Sequence, residues 1–99
     1  MFARIHTLET TPEQYERGLE IVREELLPWA AESSGFRGLI GLTTREHDRT
    51  LVVTLWADEA SLEASAGAAD RLGRLASEFS GAKRRSLDSY EVSLFDVSP

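Results

Sequence analysis

A histidine and an arginine lie two positions apart near the start of the chain, in the segment FARIHTLE at residues 2–9. Side chains alternate along a β-strand, so Arg4 and His6 point to the same face. A neutral imidazole there can remove a phenolic or enolic proton from a small molecule. The resulting carbanion or phenolate can react with oxygen without a cofactor. The alternative is a core histidine that hydrogen-bonds to a helix or a carboxylate.

Arg4 has a similar pair of interpretations. A buried guanidinium needs a partner, and Glu20 or Glu24 on the following helix can supply a carboxylate. Alternatively, its planar fork of N–H groups contacts an anionic or carbonyl group of a ligand. We therefore take His6 as the candidate base and Arg4 as the candidate contact for an anion or a carbonyl.

Other kinds of site find little support. The chain has no cysteine, which excludes disulfides, a thiol nucleophile and thiolate metal centres. His47 lies between Glu46 and Asp48, but three neighbours in a turn rarely converge on a metal ion, so we predict a solvated turn. We expect neither a metal nor a cofactor.

Charge argues against nucleic acid as a partner. The net charge is −6, and the basic run at residues 83–85 is short, so we predict a solvated turn there rather than a phosphate site. No apolar run approaches the roughly 20 residues of a membrane helix, and the N-terminus does not resemble a signal peptide. We expect a cytoplasmic protein with no membrane partner.

The elements that must position Arg4 and His6 begin with a strand at residues 2–9. A helix should follow, because Thr11 can cap it, Pro12 suits its first position and Gln14 completes a capping box. Pro28 predicts a kink or a 3₁₀ ending. One apolar stripe runs along this helix at steps of three and four residues: Tyr15, Leu19, Val22, Leu26 and Trp29.

The second half of the chain predicts a hairpin, a helix and a strand. The hairpin has strands at residues 36–46 and 50–57. The helix begins at Asp58 and ends near Gly81, and the last strand lies within residues 86–97. Gly73 falls inside this helix at a cost of about 1 kcal/mol relative to Ala. A helix so rich in small residues either approaches a neighbour closely or leaves space beside it.

This βαββαβ order predicts one α+β domain over residues 1–99. It suits a ferredoxin-like sandwich, with an antiparallel four-stranded sheet and both helices on one face. Right-handed crossovers give the strand order 4-1-3-2. In the third strand we assign Leu51, Val53 and Leu55 to the helix side and Trp56 to the other face, near a dimer contact. Apolar groups on both faces predict a homodimer through the sheet.

The chain resembles the antibiotic biosynthesis monooxygenase-like proteins of the dimeric α/β-barrel superfamily. The resemblance runs over nearly the whole length and rests on four segments: FARIHTLE, LPWAAESSGFRGLIGL, VVTLWADEASLEASAGAADRL and DSYEVSLFDV. It implies two domains packed sheet to sheet, forming a dimeric α/β barrel. It also implies a ligand pocket in each subunit between the sheet and the helices. The predicted lining residues are Phe2, Leu8, Tyr15, Trp29, Val53, Leu55 and Tyr90.

The resemblance covers several activities, and single residues separate them. Heme-degrading members use an Asn, a Trp and a His where this chain has His6, Ser65 and Leu75, so heme degradation is not expected. Polyketide oxygenases of the family also use an Asn, and this chain contains none. If the chain is a cofactor-independent monooxygenase acting on a small aromatic or enolisable molecule, His6 would have to take the place of that Asn. The alternative is a non-catalytic dimeric module that binds a small hydrophobic ligand or has a structural role.

Overall fold

The structure, a computed structural model, describes residues 1–98 and their side chains, except those of Ala76, Ser77 and Phe79. The described residues form four strands and four α-helices, and one π-helical segment lies between the first two helices. In chain order the elements are β1 (Phe2–Glu9), α1 (Pro12–Ile21), the π-helical segment (Val22–Leu26), α2 (Leu27–Glu32), β2 (Phe36–Thr43), β3 (Arg49–Trp56), α3 (Glu59–Ala64), α4 (Ala66–Ser80) and β4 (Lys83–Glu91).

The sheet is antiparallel and has the order β2-β3-β1-β4, which is the predicted order read from the other edge. β1 is therefore a central strand, and the ferredoxin-like α+β architecture is confirmed. Because β1 pairs with β3 on one side and β4 on the other, its even-numbered side chains lie beneath the helices with neighbours on both flanks. The fold thus places Arg4 and His6 at the centre of the molecule, where both are buried.

The two faces of β3 are the reverse of the prediction. His6 pairs with Val52 and Phe2 pairs with Trp56, so the even-numbered residues of β3 face the helices. Trp56 is fully buried against Trp29 and Phe36, with ring centroids 6.2 and 5.6 Å away. Its placement on the free face was therefore wrong. Both faces of β3 are apolar, so alternation alone did not reveal which one the helices cover.

The first helix begins as its sequence predicts but does not end that way. Thr11 and Gln14 form the reciprocal capping box ahead of Pro12. Before Pro28 the helix widens into a π-helical turn, in which the Leu27 N–H donates to the Val22 carbonyl five residues back. Proline has no N–H and its ring crowds the carbonyl four residues earlier, and the wider turn relieves both problems. No 3₁₀ ending occurs.

The second helical region is two helices rather than one. Asp58 caps α3 by accepting from the Ser61 N–H, and the chain breaks at Ser65 before α4. Gly81 then ends α4 with a positive φ of 78°, as expected. β4 starts at Lys83, so the basic run belongs to a strand and the predicted turn was wrong. The strand ends at Glu91, and residues 92–98 have no regular structure.

Candidate functional site

His6 lies under the helices with its imidazole against α4. The residue is 3% exposed, and neither Nδ1 nor Nε2 has a hydrogen-bond partner among the described residues. The ring fits because position 73 is glycine. A side chain there would place its Cβ only 2.7 Å from the His6 Nδ1 atom. Gly73 therefore leaves the space in α4 that the imidazole occupies. Of the two alternatives for this helix of small residues, close approach to a neighbour is the one found at Gly73.

The surroundings of His6 favour its neutral form. The pKa of His6 is lowered from 6.5 to about 4, and the largest cause is burial, because the charged imidazolium loses its hydration. The positive charges of Arg84 and Arg4 also contribute to this lowering, and Asp70 offsets part of their effect. The imidazole is therefore uncharged at neutral pH. The same charges create a positive potential around it, which favours an anion in its neighbourhood.

Arg84 is a member of this site that the sequence reasoning missed. Its guanidinium donates to the Asp70 carboxylate at 2.6 Å and to the Asp70 backbone carbonyl at 3.2 Å. This pair ties β4 to α4 beside Gly73, and the Arg84 hydrogen bond holds the pKa of Asp70 below its usual value. The sequence signal for this contact was Gly73 inside a helix, followed by Arg84 in the next strand. The sequence analysis did not use this signal, because it predicted that the strand starts after residue 85.

Arg4 is buried but meets no acidic side chain among the described residues. It donates to the Ser65 hydroxyl at 2.7 Å and to the Leu62 carbonyl at 2.6 Å. The predicted partners, Glu20 and Glu24, are exposed. The break between α3 and α4 instead turns the Leu62 carbonyl and the Ser65 hydroxyl toward the guanidinium. Burial lowers the pKa of Arg4 from its usual value. Arg4 therefore holds the end of α3 through these two hydrogen bonds.

A small cavity of about 20 Å³ lies beside His6. Its walls are almost entirely carbon, and they come from β1, β3, the π-helical segment and α4. The lining residues are His6, Leu8, Val22, Leu26, Val52, Leu72 and Gly73. A volume of this size holds one water-sized molecule. His6 therefore faces a small space and not a large pocket.

A larger cavity of about 230 Å³ lies between α1 and the sheet. Leu8 and Tyr15, two of the predicted lining residues, are in its wall. It shares three side chains, those of Leu8, Val22 and Val52, with the small cavity. These three side chains separate the larger cavity from His6. Ligand pockets usually begin at about 300 Å³, so an occupant must be small or must displace part of this wall.

The predicted turn contacts one wall residue of this cavity, Tyr15. His47 is half-buried, with its ring stacked on Tyr15 at a centroid distance of 4.3 Å. The Thr10 hydroxyl donates to the His47 carbonyl, and the Thr10 N–H donates to the Asp48 carbonyl at 3.0 Å. The turn is therefore packed against the start of α1, which the prediction of a solvated turn did not foresee.

The other predicted lining residues lie elsewhere. Trp29 lines a separate open groove of about 500 Å³ together with Trp56 and Ser65. Phe2 lies on the helix side, opposite Trp56, but lines none of these cavities. Val53, Leu55 and Tyr90 fall on the opposite face of the sheet, since their partners in β1 are Ile5 and Ala3. Their placement in a pocket under the helices was wrong, and for Val53 and Leu55 the reason is the reversed face of β3.

The described residues contain no group of three or more metal-ligating side chains. No helix within residues 1–98 is long and apolar enough to cross a membrane. The cytoplasmic location stays a prediction.

Comparison with known proteins finds relatives by structure. No family profile and no curated protein matches the sequence. A monooxygenase from Streptomyces coelicolor, solved in complex with nanaomycin D, matches with a TM-score of 0.71 at 16% identity, over 99% of this chain and 91% of that chain. Other solved structures that match are described as antibiotic biosynthesis monooxygenases. The chain has the fold of these monooxygenases.

Two further structures extend this likeness. SnoaB, a cofactor-independent oxygenase from Streptomyces nogalater that was solved as a point mutant, has a TM-score of 0.75 at 8% identity, over 95% of this chain and 94% of that chain. A dimeric ferredoxin-like protein from an uncultured marine organism has a TM-score of 0.74 at 19% identity, over 96% and 97% of the two chains. At these identities the likeness shows a shared monooxygenase-type fold, and the activity has to be argued from the site.

Proposed function

We propose that this chain is a cofactor-independent monooxygenase that acts on a small aromatic or enolisable molecule, with His6 as the base. The observation that carries the proposal is the imidazole itself, which is buried, uncharged at neutral pH and without a hydrogen-bond partner among the described residues. A histidine with a purely structural role usually hydrogen-bonds, because an unsatisfied buried polar group costs about 1–3 kcal/mol. Such a cost is typical of sites that a ligand completes.

The cavities supply the rest of the site. A flat, mostly apolar molecule fits the space between α1 and the sheet, where Tyr15 and Leu19 offer apolar surface. Movement of the shared side chains Leu8 and Val22 would bring its edge to His6. Such side-chain changes on binding are common even where the backbone stays fixed.

The charges around His6 set the chemistry. An imidazole with a pKa of about 4 is a weak base, so by itself it transfers a phenolic proton poorly. Arg4 and Arg84, which weaken it, also stabilise the phenolate or enolate that forms beside it. The resulting imidazolium gains a neighbouring anion, which raises its pKa again. The site therefore favours proton removal only when the product is an anion held next to the ring.

The reaction then balances without a cofactor. His6 takes one proton from an activated CH₂ group, and the carbanion transfers one electron to dioxygen. The carbon radical and superoxide combine into a peroxide anion, which takes the proton back from the imidazolium. Loss of water breaks the O–O bond and leaves a carbonyl. One CH₂ and one O₂ thus give one C=O and one H₂O.

A homodimer through the free face of the sheet is part of this proposal. Ile40, Leu42 and Tyr90 on that face are 43%, 50% and 54% exposed. A contiguous apolar face of this kind marks an interface more often than a free surface. A second copy is the occupant we propose, because one of the proteins with this fold is described as dimeric.

Oxygen consumption tests the proposal. Chelator-treated protein is mixed with 1,8-dihydroxyanthrone, which carries an acidic CH₂ between two aromatic rings, and dissolved oxygen is followed with an electrode. We expect uptake above the uncatalysed rate and one carbonyl formed for each O₂ consumed. The variant His6→Gln should lower the rate about 100-fold or more, the usual contribution of a general base.

His47→Gln is the matched control, since it removes the other histidine of the chain, which lines neither cavity. It should keep nearly the full rate. Equal rates for the wild type and His6→Gln would remove His6 from the mechanism.

A non-catalytic ligand-binding module is the second candidate, and one observation favours it. The larger cavity does not reach His6 in this structure. Under this reading the anthrone quenches tryptophan fluorescence on binding but oxygen is not consumed, and His6→Gln changes only affinity or stability.

A further inference from the structure

We infer that the small cavity of about 20 Å³ beside His6 is a binding site for dioxygen. It is the space lined by His6, Leu8, Val22, Leu26, Val52, Leu72 and Gly73. The binding claim stands on the cavity alone. Its part in turnover rests on the function proposed above.

The lining of this cavity favours an apolar guest over water. A buried water normally makes two to four hydrogen bonds. Among the described residues of this wall the imidazole is the one polar side chain and the rest is aliphatic carbon, so a water would lack most of its partners. Cavities lined by such side chains stay dry and accept apolar molecules of matching size. Dioxygen is apolar, and at this volume the cavity excludes most organic molecules.

The position of the cavity fits a role for oxygen next to the base. It lies against the His6 ring on one side and shares Leu8, Val22 and Val52 with the larger cavity on the other. A substrate that displaces these side chains meets His6 and the oxygen site together. The carbanion then forms next to O₂. It can transfer one electron to O₂, and the radical pair can then form the C–O bond. The imidazolium that returns the proton to the peroxide is the wall of the same cavity.

Paramagnetic relaxation by dissolved oxygen measures occupancy directly and needs no substrate. Protein with labelled leucine and valine methyl groups is equilibrated with argon and then with oxygen under pressure, and methyl proton relaxation rates are compared. Leu26 and Leu62 are a matched pair, since both are 6% exposed but only Leu26 lines the cavity. We expect oxygen to raise the rates of the Leu26 and Leu72 methyl groups severalfold more than those of Leu62.

A filled cavity provides the second measurement. Leu72 lines the small cavity and not the larger one, so Leu72→Phe puts a larger side chain beside the oxygen site. Leu75→Phe makes the same change one turn along α4, at a residue that lines neither cavity. In Leu72→Phe the oxygen effect on Leu26 should fall to the level of Leu62. The KM for oxygen should rise severalfold with little change in the KM for the anthrone, and Leu75→Phe should resemble the wild type.

The outcomes separate this inference from the proposed function. Equal oxygen effects on Leu26 and Leu62 in the wild type overturn the binding site, whether or not the protein turns over. A KM for oxygen that is the same in Leu72→Phe and Leu75→Phe overturns its part in catalysis. If no substrate causes oxygen uptake, the proposed function fails, and the relaxation rates still decide whether the cavity takes up oxygen.

Discussion

At the scale of single residues, the imidazole of His6 has lost its water and has gained no hydrogen-bond partner among the described residues. The sequence correctly placed it beside Arg4 on one face of a strand, because alternation along β1 is independent of the rest of the fold. The partners of Arg4 could not be predicted. They depend on a break at Ser65, where the sequence analysis predicts one continuous helix.

The buried imidazole predicts an acid-sensitive stability. The folded-state pKa of about 4 lies below the ordinary value of 6.5, so the unfolded chain binds a proton between these pH values and the folded chain does not. The free energy of unfolding is therefore undiminished by this titration above pH 6.5. It falls as the pH drops toward 4, by roughly 3 kcal/mol in all. Urea unfolding at pH 7 and pH 4.5 measures this loss.

His6→Leu provides the control, because it removes this titration and leaves every other ionisable group. It should lose about 2–3 kcal/mol less than the wild type over the same pH interval. Equal losses in the two proteins would mean that His6 is hydrated in solution.

At the scale of elements, helix starts were predictable and helix interruptions were not. Thr11 and Asp58 cap their helices through side-chain contacts that are local in sequence. The π-helical turn is one of several ways to accommodate Pro28, and the break at Ser65 is held by its long-range contact with Arg4, so local propensity does not reveal either one. The start of β4 was missed because Lys83, Arg84 and Arg85 look solvated, although Arg84 turns inward to Asp70.

The break between α3 and α4 depends on the contact between Arg4 and Ser65. Ser65→Ala leaves the Arg4 Nη1 donor buried without the acceptor that it has now. We expect the free energy of unfolding to fall by about 1–3 kcal/mol, the cost of an unsatisfied buried donor. Ser93→Ala at an exposed site is the control and should change it little. Chemical denaturation measures both, and equal stabilities would show that Arg4 does not depend on Ser65.

At the scale of the whole molecule, topology was the most predictable feature. The element order and the handedness of crossovers leave few arrangements of the strands. Which face of β3 meets the helices was not predictable, because Val52 and Val53 are equally apolar and no charged residue between Arg49 and Trp56 marks the solvent side. This ambiguity moved Trp56, Val53 and Leu55 to the wrong faces.

The free sheet face predicts association. Light scattering at micromolar concentration should give about twice the 11.0 kDa chain mass. Ile40→Glu puts a charge on this face and should give a monomer, because a buried unpaired charge is costly. Ala66→Glu, at an exposed position on the helix side, should stay dimeric. A wild-type monomer, or an Ile40→Glu dimer, would contradict packing through this face.

The central claim is that a ligand reaches a neutral His6. The most direct measurement is ¹⁵N NMR of the His6 ring nitrogens, titrated without oxygen in the absence and presence of 1,8-dihydroxyanthrone. The account predicts a His6 pKa near 4 in the free protein. It predicts a shifted ring nitrogen and a higher pKa with ligand, because the bound molecule supplies a hydrogen bond and an anion. A pKa near 6.5 in the free protein, or ring signals unchanged at saturating ligand, would contradict it.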